Sequence, residues 1–192
     1  DEKHKPYSPT YLKTLHNQLS AIFNHAVRFY DLRSNPAAKA GNMGSEESKE
    51  MLFWTKEEYQ KFAEVMMDRP ISYYAFQMLY WTGVREGELL ALTPADFDFE
   101  AGTVKISKSY QRLNGKDVIT PPKTKQSNRT IQMPEFLCEE MKEFFGMQYG
   151  LKKKDRIFTI NKSYLHREMD RGAKVAGVKR IRIHDLRHSH IS

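Results

Sequence analysis

The sequence is poor in cysteine and has no long apolar run, and each shortage excludes a class of protein. Cys138 is the single cysteine among 192 residues, so no internal disulfide can form. A reducing compartment is the simplest interpretation, and we expect a cytoplasmic protein. No apolar run approaches the length of a membrane span and no secretory signal opens the chain, so we expect no membrane partner.

Acidic residues are also in deficit. The chain has 31 Lys and Arg against 24 Asp and Glu, which gives a formal net charge of +7. The basic excess is spread along the chain in short groups, such as the three lysines at 152–154. This balance favours a polyanionic partner, although many basic proteins bind no nucleic acid.

Apolar periodicity predicts an α+β fold in which helices precede and follow a small three-stranded antiparallel sheet. Helices are expected over residues 8–35, 55–67, 71–81, 86–92, 93–96, 134–149, 163–175 and 183–192. Strands are expected over residues 103–112, 117–120 and 129–133, with a hairpin turn at Asn114-Gly115, and residues 157–160 are compatible with a further short strand. Residues 40–47 have linker composition, and one helix cannot bury its own apolar stripe. We therefore predict that residues 1–45 end a helical domain and that residues 46–192 form a second domain.

Residues 82–92 hold the first candidate site. A long apolar helix breaks at Gly83 and presents Arg85 at the start of the next helix. An arginine held in this way has a fixed guanidinium fork that suits bidentate contact with a phosphate, and Glu88 is placed to orient it. The alternative is a surface helix start with an intrahelical Arg–Glu pair, which stabilises a helix by about 0.2–0.5 kcal/mol. The local pattern leaves both interpretations open.

The second candidate site lies near the end of the sequence. His184 and Arg187 are three residues apart and share one helical face, so an imidazole and a permanent cation stand together. Two alternatives remain open. His184, His188 and His190 are candidate metal ligands, although the single cysteine is distant and no carboxylate-rich motif accompanies them. A basic helix that lies on DNA without any chemistry would have the same residues.

Together the two patterns resemble the tyrosine recombinase family, above all its phage and conjugative-transposon integrases. The resemblance rests on Thr82-Gly83-Val84-Arg85 with Glu88-Leu89, followed about a hundred residues later by His184-Asp185-Leu186-Arg187-His188. It covers the whole chain, because the N-terminal helix and Asn35-Pro36-Ala37 resemble the last helix of the family's core-binding domain. It implies that residues 1–45 end that DNA-binding domain, that residues 46–192 are catalytic, and that the protein is bacterial or phage-encoded.

The resemblance also implies a role for each residue. Arg85, Arg187 and His184 correspond to the two arginines and the histidine that grip the scissile phosphate. Lys123 corresponds best to the hairpin lysine that protonates the leaving 5′ oxygen, with Lys125 as the substitute. Fixed cations that bind the phosphate more tightly in the transition state lower the barrier. Covalent attachment of the broken strand retains the bond energy, so neither a metal nor another cofactor is implied.

The expected partner is double-stranded DNA that carries attachment sites. Further DNA contacts are predicted for Lys13, Arg28, Lys125, Arg129 and His188, and Glu88 is predicted to support Arg85. The resemblance implies a tetramer on DNA for the intact protein, whereas we expect the 192-residue polypeptide to be a monomer.

The sequence departs from the family after Arg187. The family places a further His or Trp and then the nucleophilic tyrosine well beyond this box, whereas here only five residues follow and none is tyrosine. Tyr110, Tyr149 and Tyr164 precede the box, and their apolar neighbourhoods are typical of core aromatics. We therefore expect a catalytic domain truncated before its nucleophile, which binds DNA weakly and does not cleave it.

For the intact protein we expect a site-specific recombinase that integrates or excises a mobile element or prophage through a covalent 3′-phosphotyrosine. Two other functions remain open. A non-catalytic DNA-binding module would use the same scaffold, but pure phosphate binding does not need the hairpin lysine. A type IB topoisomerase binds the scissile phosphate in the same way, but the compact size and the linker after an N-terminal helix argue against it.

Overall fold

The computed structural model describes residues 6–45, 52–121 and 128–189, and the chain divides into two compact units, residues 1–50 and 51–192. In the first unit, α1 spans Pro9–Phe29 and α2 spans Pro36–Ala40. The Ser8 side chain caps α1 by accepting a hydrogen bond from the backbone of Tyr11 at 3.2 Å. The expected continuation of α1 to about residue 35 was wrong, because Asp31 adopts a φ of 54° that no helix accommodates.

In the second unit the helices begin where the sequence places caps or prolines. Their bounds are α3 Lys56–Met66, α4 Pro70–Thr82, α5 Glu86–Leu89, α6 Glu135–Gly146, α7 Lys162–Ala176 and α8 Leu186–Ser189. Thr55 and Glu58 form the expected capping box, with backbone-to-side-chain bonds of 2.9 and 3.2 Å. α4 ends at Gly83, whose φ of 59° is the left-handed conformation that favours glycine.

The strands confirm the α+β class and the small three-stranded antiparallel sheet. They are β1 Phe97–Asp98, β2 Thr103–Ile106, β3 Ser109–Leu113, β4 Lys116–Thr120 and β5 Arg129–Gln132. The sheet order is β1–β2–β5, while β3 and β4 form a separate hairpin around Asn114-Gly115. The predicted strand over residues 103–112 is therefore two strands. At the break, Lys108 turns away to pair with Asp96 at 2.7 Å.

Other expectations needed correction. Residues 157–160 form no strand. Ile157 and Phe158 are buried in the core, and the Ile157 backbone N–H donates to the Leu92 carbonyl, which belongs to no strand, at 3.0 Å. α5 ends three residues earlier than expected and α6 ends at Gly146. The final helix opens as a 3-10 turn, Ile183–Asp185, before α8 begins.

One apolar core joins elements of the second unit, and α4 runs through it with nine buried residues. Trp54, fully buried at the start of the second unit, forms hydrogen bonds to two residues in the last part of that unit. Its backbone N–H donates to the Ser189 Oγ at 2.9 Å and its indole Nε1 donates to the Lys179 carbonyl at 2.7 Å. Within the described ranges, no helix has both the length and the apolar character needed to cross a bilayer.

Candidate functional site

Arg85 occupies the turn between α4 and α5. Val84 before it and Leu89 after it are buried, so the backbone of the turn is anchored in the core on both sides. Arg85 itself is the N-cap of α5, and 53% of its side chain is exposed. The core therefore fixes the position of the backbone while the guanidinium faces solvent.

A buried glutamate lies beneath this arginine. The side chain of Glu88 is 6% exposed and accepts hydrogen bonds from the Arg85 backbone N–H and from Arg85 Nη1, each at 2.9 Å. It also accepts from Arg129 Nη1 at 3.1 Å and from Nη2 at 2.7 Å. Burial alone would raise the pKa of Glu88, but the bonds from Arg129 and Arg85 hold it below its ordinary value. Glu88 is therefore a carboxylate that two arginines keep ionised.

His184 and Arg187 lie in the 3-10 turn and in α8. The turn is held by Asp185, a buried residue that accepts a hydrogen bond from the Arg182 backbone N–H at 3.1 Å. The Arg182 guanidinium pairs with the same carboxylate through Nε and Nη2, both at 2.9 Å. Burial opposes the charge, but these bonds hold the pKa of Asp185 below its ordinary range. His184 is exposed, and Arg187 is half-buried.

The two candidate sites meet at Gly83. A Cβ atom at this position would stand 3.3 Å from Cγ of Arg187, so the Arg187 side chain passes directly over the turn that carries Arg85. On the second helix, the His184 and His188 rings lie 5.5 Å apart in an edge-to-face arrangement. Residues about a hundred positions apart in sequence are thus brought to one end of α4.

The other predicted site residues fall into two groups. Lys123 and Lys125 fall outside the described residues, as does His190. Lys13 and Arg28 lie on α1 in the first unit. Within the described ranges, no three His, Cys, Asp or Glu side chains converge into a group that could hold a metal ion.

The three tyrosines before the second box differ in environment. Tyr110 is buried, donates to Asp117 at 2.8 Å and lies 4.3 Å beneath the Arg156 guanidinium. The Tyr164 hydroxyl lies 3.0 Å from the Ser72 Oγ. Tyr149 is fully exposed, so its expected place in the core was wrong. α6 ends three residues before it, which leaves its ring beyond the helix.

Sequence reasoning overlooked the carboxylate that fixes the second turn and the long-range partner of the first. Arg85-x-x-Glu88 and Arg182-x-x-Asp185 have the same spacing, and that repeated spacing is a signal for Asp185. No comparable signal indicates that Arg129, from a strand about 40 residues away, reaches Glu88.

Comparison with known proteins gives consistent matches. Residues 52–192 match the phage integrase family. ICEBs1 integrase of Bacillus subtilis is 30% identical over 189 residues, which cover 91% of this chain and 51% of that protein. A XerC-like tyrosine recombinase of Caldanaerobacter subterraneus is 28% identical, over 93% of this chain and 54% of that protein. The chain therefore spans about half the length of these relatives. Tn1549 transposon integrase, solved in complex with a circular intermediate DNA, shares the fold with a TM-score of 0.79 and 20% identity, over 98% of this chain and 67% of that one.

Proposed function

The chain belongs to the phage integrase family of tyrosine recombinases, and we propose that the whole protein is a site-specific DNA recombinase. It cuts and rejoins DNA strands at attachment sites and so integrates or excises a mobile element or prophage. The intact protein acts as a tetramer on double-stranded DNA. The 192 residues bind DNA as a monomer and do not cleave it, because no tyrosine follows Arg187 among them.

In this mechanism a tyrosine hydroxyl gives up its proton to solvent as its oxygen attacks the scissile phosphorus. The bond to the 5′ oxygen breaks, the 3′ phosphate becomes esterified to the tyrosine, and Lys123 supplies the proton that the leaving oxygen requires. Arg85, His184 and Arg187 bind the non-bridging oxygens, whose negative charge grows in the transition state. Attack by a 5′ hydroxyl on the phosphotyrosine reverses the sequence and rejoins a strand.

One observation carries the proposal. Arg187 passes so close to Gly83, two residues before Arg85, that a Cβ atom there would stand 3.3 Å from its Cγ. Two arginines from distant parts of the sequence can therefore address one phosphate. The buried carboxylates beneath them, Glu88 and Asp185, keep both turns fixed. Preorganised cations of this kind need no rearrangement when charge develops on the phosphate.

DNA binding by the 192-residue chain tests the phosphate grip. Loss of a charged hydrogen bond to phosphate predicts that Arg85→Ala weakens affinity about tenfold and lowers the log–log salt slope by about one. Arg69 offers a matched control, since it is 49% exposed, pairs with the buried Glu168 at 2.7 Å and lies at the other end of α4. We expect Arg69→Ala to leave the affinity within about twofold. Equal effects of the two variants would contradict the proposal.

Strand transfer is tested with the full-length gene product and a nicked suicide substrate that carries the element's attachment site. The recombinase forms a covalent protein–DNA adduct, and Arg85→Ala and Arg187→Ala remove it, whereas the 192-residue chain forms none. A full-length protein that binds DNA without any adduct would be a binding module. Relaxation of supercoils without site preference would indicate a topoisomerase.

A further inference from the structure

The pairing beneath Arg85 involves three charged side chains rather than two. Glu88 receives two hydrogen bonds from the Arg129 guanidinium and one from the Arg85 guanidinium, which reaches Oε1 through Nη1. Arg129 is the more buried of the two arginines, with 25% of its side chain exposed against 53% for Arg85. Arg129 thus holds the carboxylate from within, and Arg85 touches it from the solvent side.

The described residues contain an internal reference, a pair of the same kind in which no distant second arginine binds the carboxylate. Arg182 and Asp185 have the same spacing and the same backbone cap, but there the guanidinium donates to both carboxylate oxygens through Nε and Nη2. In that turn the guanidinium of the capping arginine donates its hydrogen bonds to the carboxylate. At Glu88 the fork that meets both oxygens belongs to Arg129 instead.

A second buried glutamate that binds two arginines allows the charge balance of the two clusters to be compared. Glu168 also binds two arginines, Arg69 at 2.7 Å and Arg171 at 2.9 Å, but Arg171 forks onto Asp68 as well. Those four side chains carry two charges of each sign, and their formal charges cancel. Arg85, Glu88 and Arg129 contribute two positive charges and one negative charge to their cluster.

We propose that Arg129 is a positioning residue for Arg85. Arg129 compensates the negative charge of Glu88, so that the positive charge of Arg85 is available to, and oriented for, a phosphate oxygen. This inference rests on the proposed function and gives Arg129 a role other than the direct DNA contact that the sequence suggests. When Arg129 is removed, the buried carboxylate needs another bidentate partner, and Arg85 is adjacent to it. The Arg85 fork then turns inward, as the Arg182 fork does on Asp185.

The test is a double-mutant cycle on the 192-residue chain, with a fluorescein-labelled duplex of arbitrary sequence as the probe. In the wild-type background we expect Arg85→Ala to weaken binding about tenfold, whereas in an Arg129→Gln background it weakens binding by less than about twofold. Adding Glu88→Gln to Arg129→Gln removes the competing carboxylate, and we expect the Arg85→Ala effect to return. A residue that only stabilises the fold would give no such rescue.

Two outcomes overturn the inference and differ in meaning. If Arg85→Ala costs the same factor with and without Arg129, Arg129 acts on DNA independently and the positioning role is wrong, while the proposed phosphate grip stands. If Arg85→Ala has no effect even in the wild-type background, the phosphate grip fails as well. Should Arg129→Gln not fold, Arg129→Lys keeps the charge opposite Glu88 without the fork. We then expect Arg85→Ala still to weaken binding severalfold, and loss of that effect would contradict charge neutralisation as the cause.

Discussion

The Arg85 turn and the His184 turn are built by one local device and present different groups to solvent. In each, a capping arginine donates its backbone N–H to a buried carboxylate three residues later and pairs its guanidinium with that carboxylate. In the first turn the capping arginine is the candidate phosphate ligand. In the second the candidates are His184 and Arg187, and the capping Arg182 serves the turn.

Long-range partners decide which group such a turn offers to solvent. The carboxylate of the first turn is held by Arg129, which comes from β5. The second turn is held from its far side, because Ser189 accepts the Trp54 backbone N–H and donates to the Asp185 carbonyl. The local sequence forms the cap in both turns, and contacts with distant residues determine which side chain each turn presents to solvent.

Removal of the carboxylate of the first turn has the largest expected effect. Glu88→Gln leaves two arginines without their anion in a partly buried site, and we expect a loss of about 3 kcal/mol in the free energy of unfolding at neutral pH. The folded pKa of Glu88 lies below its ordinary value of 4.5. Its stabilisation is therefore complete above the unfolded pKa and is lost as the pH falls through the lower folded value.

Urea denaturation of both proteins across that range measures the effect. We expect the difference between wild type and Glu88→Gln to shrink below about pH 4. Glu139→Gln, at an exposed position of α6, is the control and should stay within about 0.5 kcal/mol of wild type. A difference that is constant from neutral to acid pH would mean that the carboxylate charge is not what stabilises the turn.

The second turn is tested by removing the hydrogen bond between Trp54 and Ser189. Ser189→Ala leaves the buried Trp54 backbone N–H without its acceptor, and we expect a loss of about 2 kcal/mol. Ser8→Ala removes an exposed helix cap from α1 and provides a reference of about 1 kcal/mol. Equal losses from the two variants would show that the Trp54–Ser189 bond does not anchor α8.

Local chemistry made much of this architecture predictable. The capping box at Thr55, the helix end at Gly83 and the hairpin at Asn114-Gly115 are each set by neighbouring residues, so the sequence marks them directly. The sequence also placed Arg85, His184 and Arg187 on turns and helix starts. The break between β2 and β3 was not predictable from alternation, because both halves alternate and only their partner strands differ.

The support beneath the candidate site was harder to predict for the same reason. Arg129 follows no local pattern that directs it to Glu88, and its basic charge alone favoured a DNA contact. The meeting of Arg187 with Gly83 likewise depends on how α8 packs on α4. Contacts between distant segments arise from the packing of the whole core, which periodicity and spacing do not encode.

Gly83 allows the meeting of the two turns to be tested against a matched glycine. Gly83 and Gly177 both end helices, at φ values of 59° and 67°, and alanine at either position incurs left-handed strain of about 1–2 kcal/mol. A new Cβ at Gly83 meets Arg187 at 3.3 Å, whereas one at Gly177 meets nothing within 4 Å. We expect similar losses of stability but weaker DNA binding only for Gly83→Ala. Equal DNA affinities would show that Arg187 does not depend on this contact.

Arg182 gives the smallest expected effect and the sharpest contrast with Arg85. Its side chain is 75% exposed, more than that of Arg85, so charge and exposure alone predict that it contributes at least as much to DNA binding. The Arg182 guanidinium, however, is already paired with the Asp185 carboxylate. We therefore expect Arg182→Gln to change DNA affinity by less than about twofold, against about tenfold for Arg85→Gln. A salt slope that falls by about one for both variants would mean that each arginine contacts a phosphate and that the two turns are equivalent.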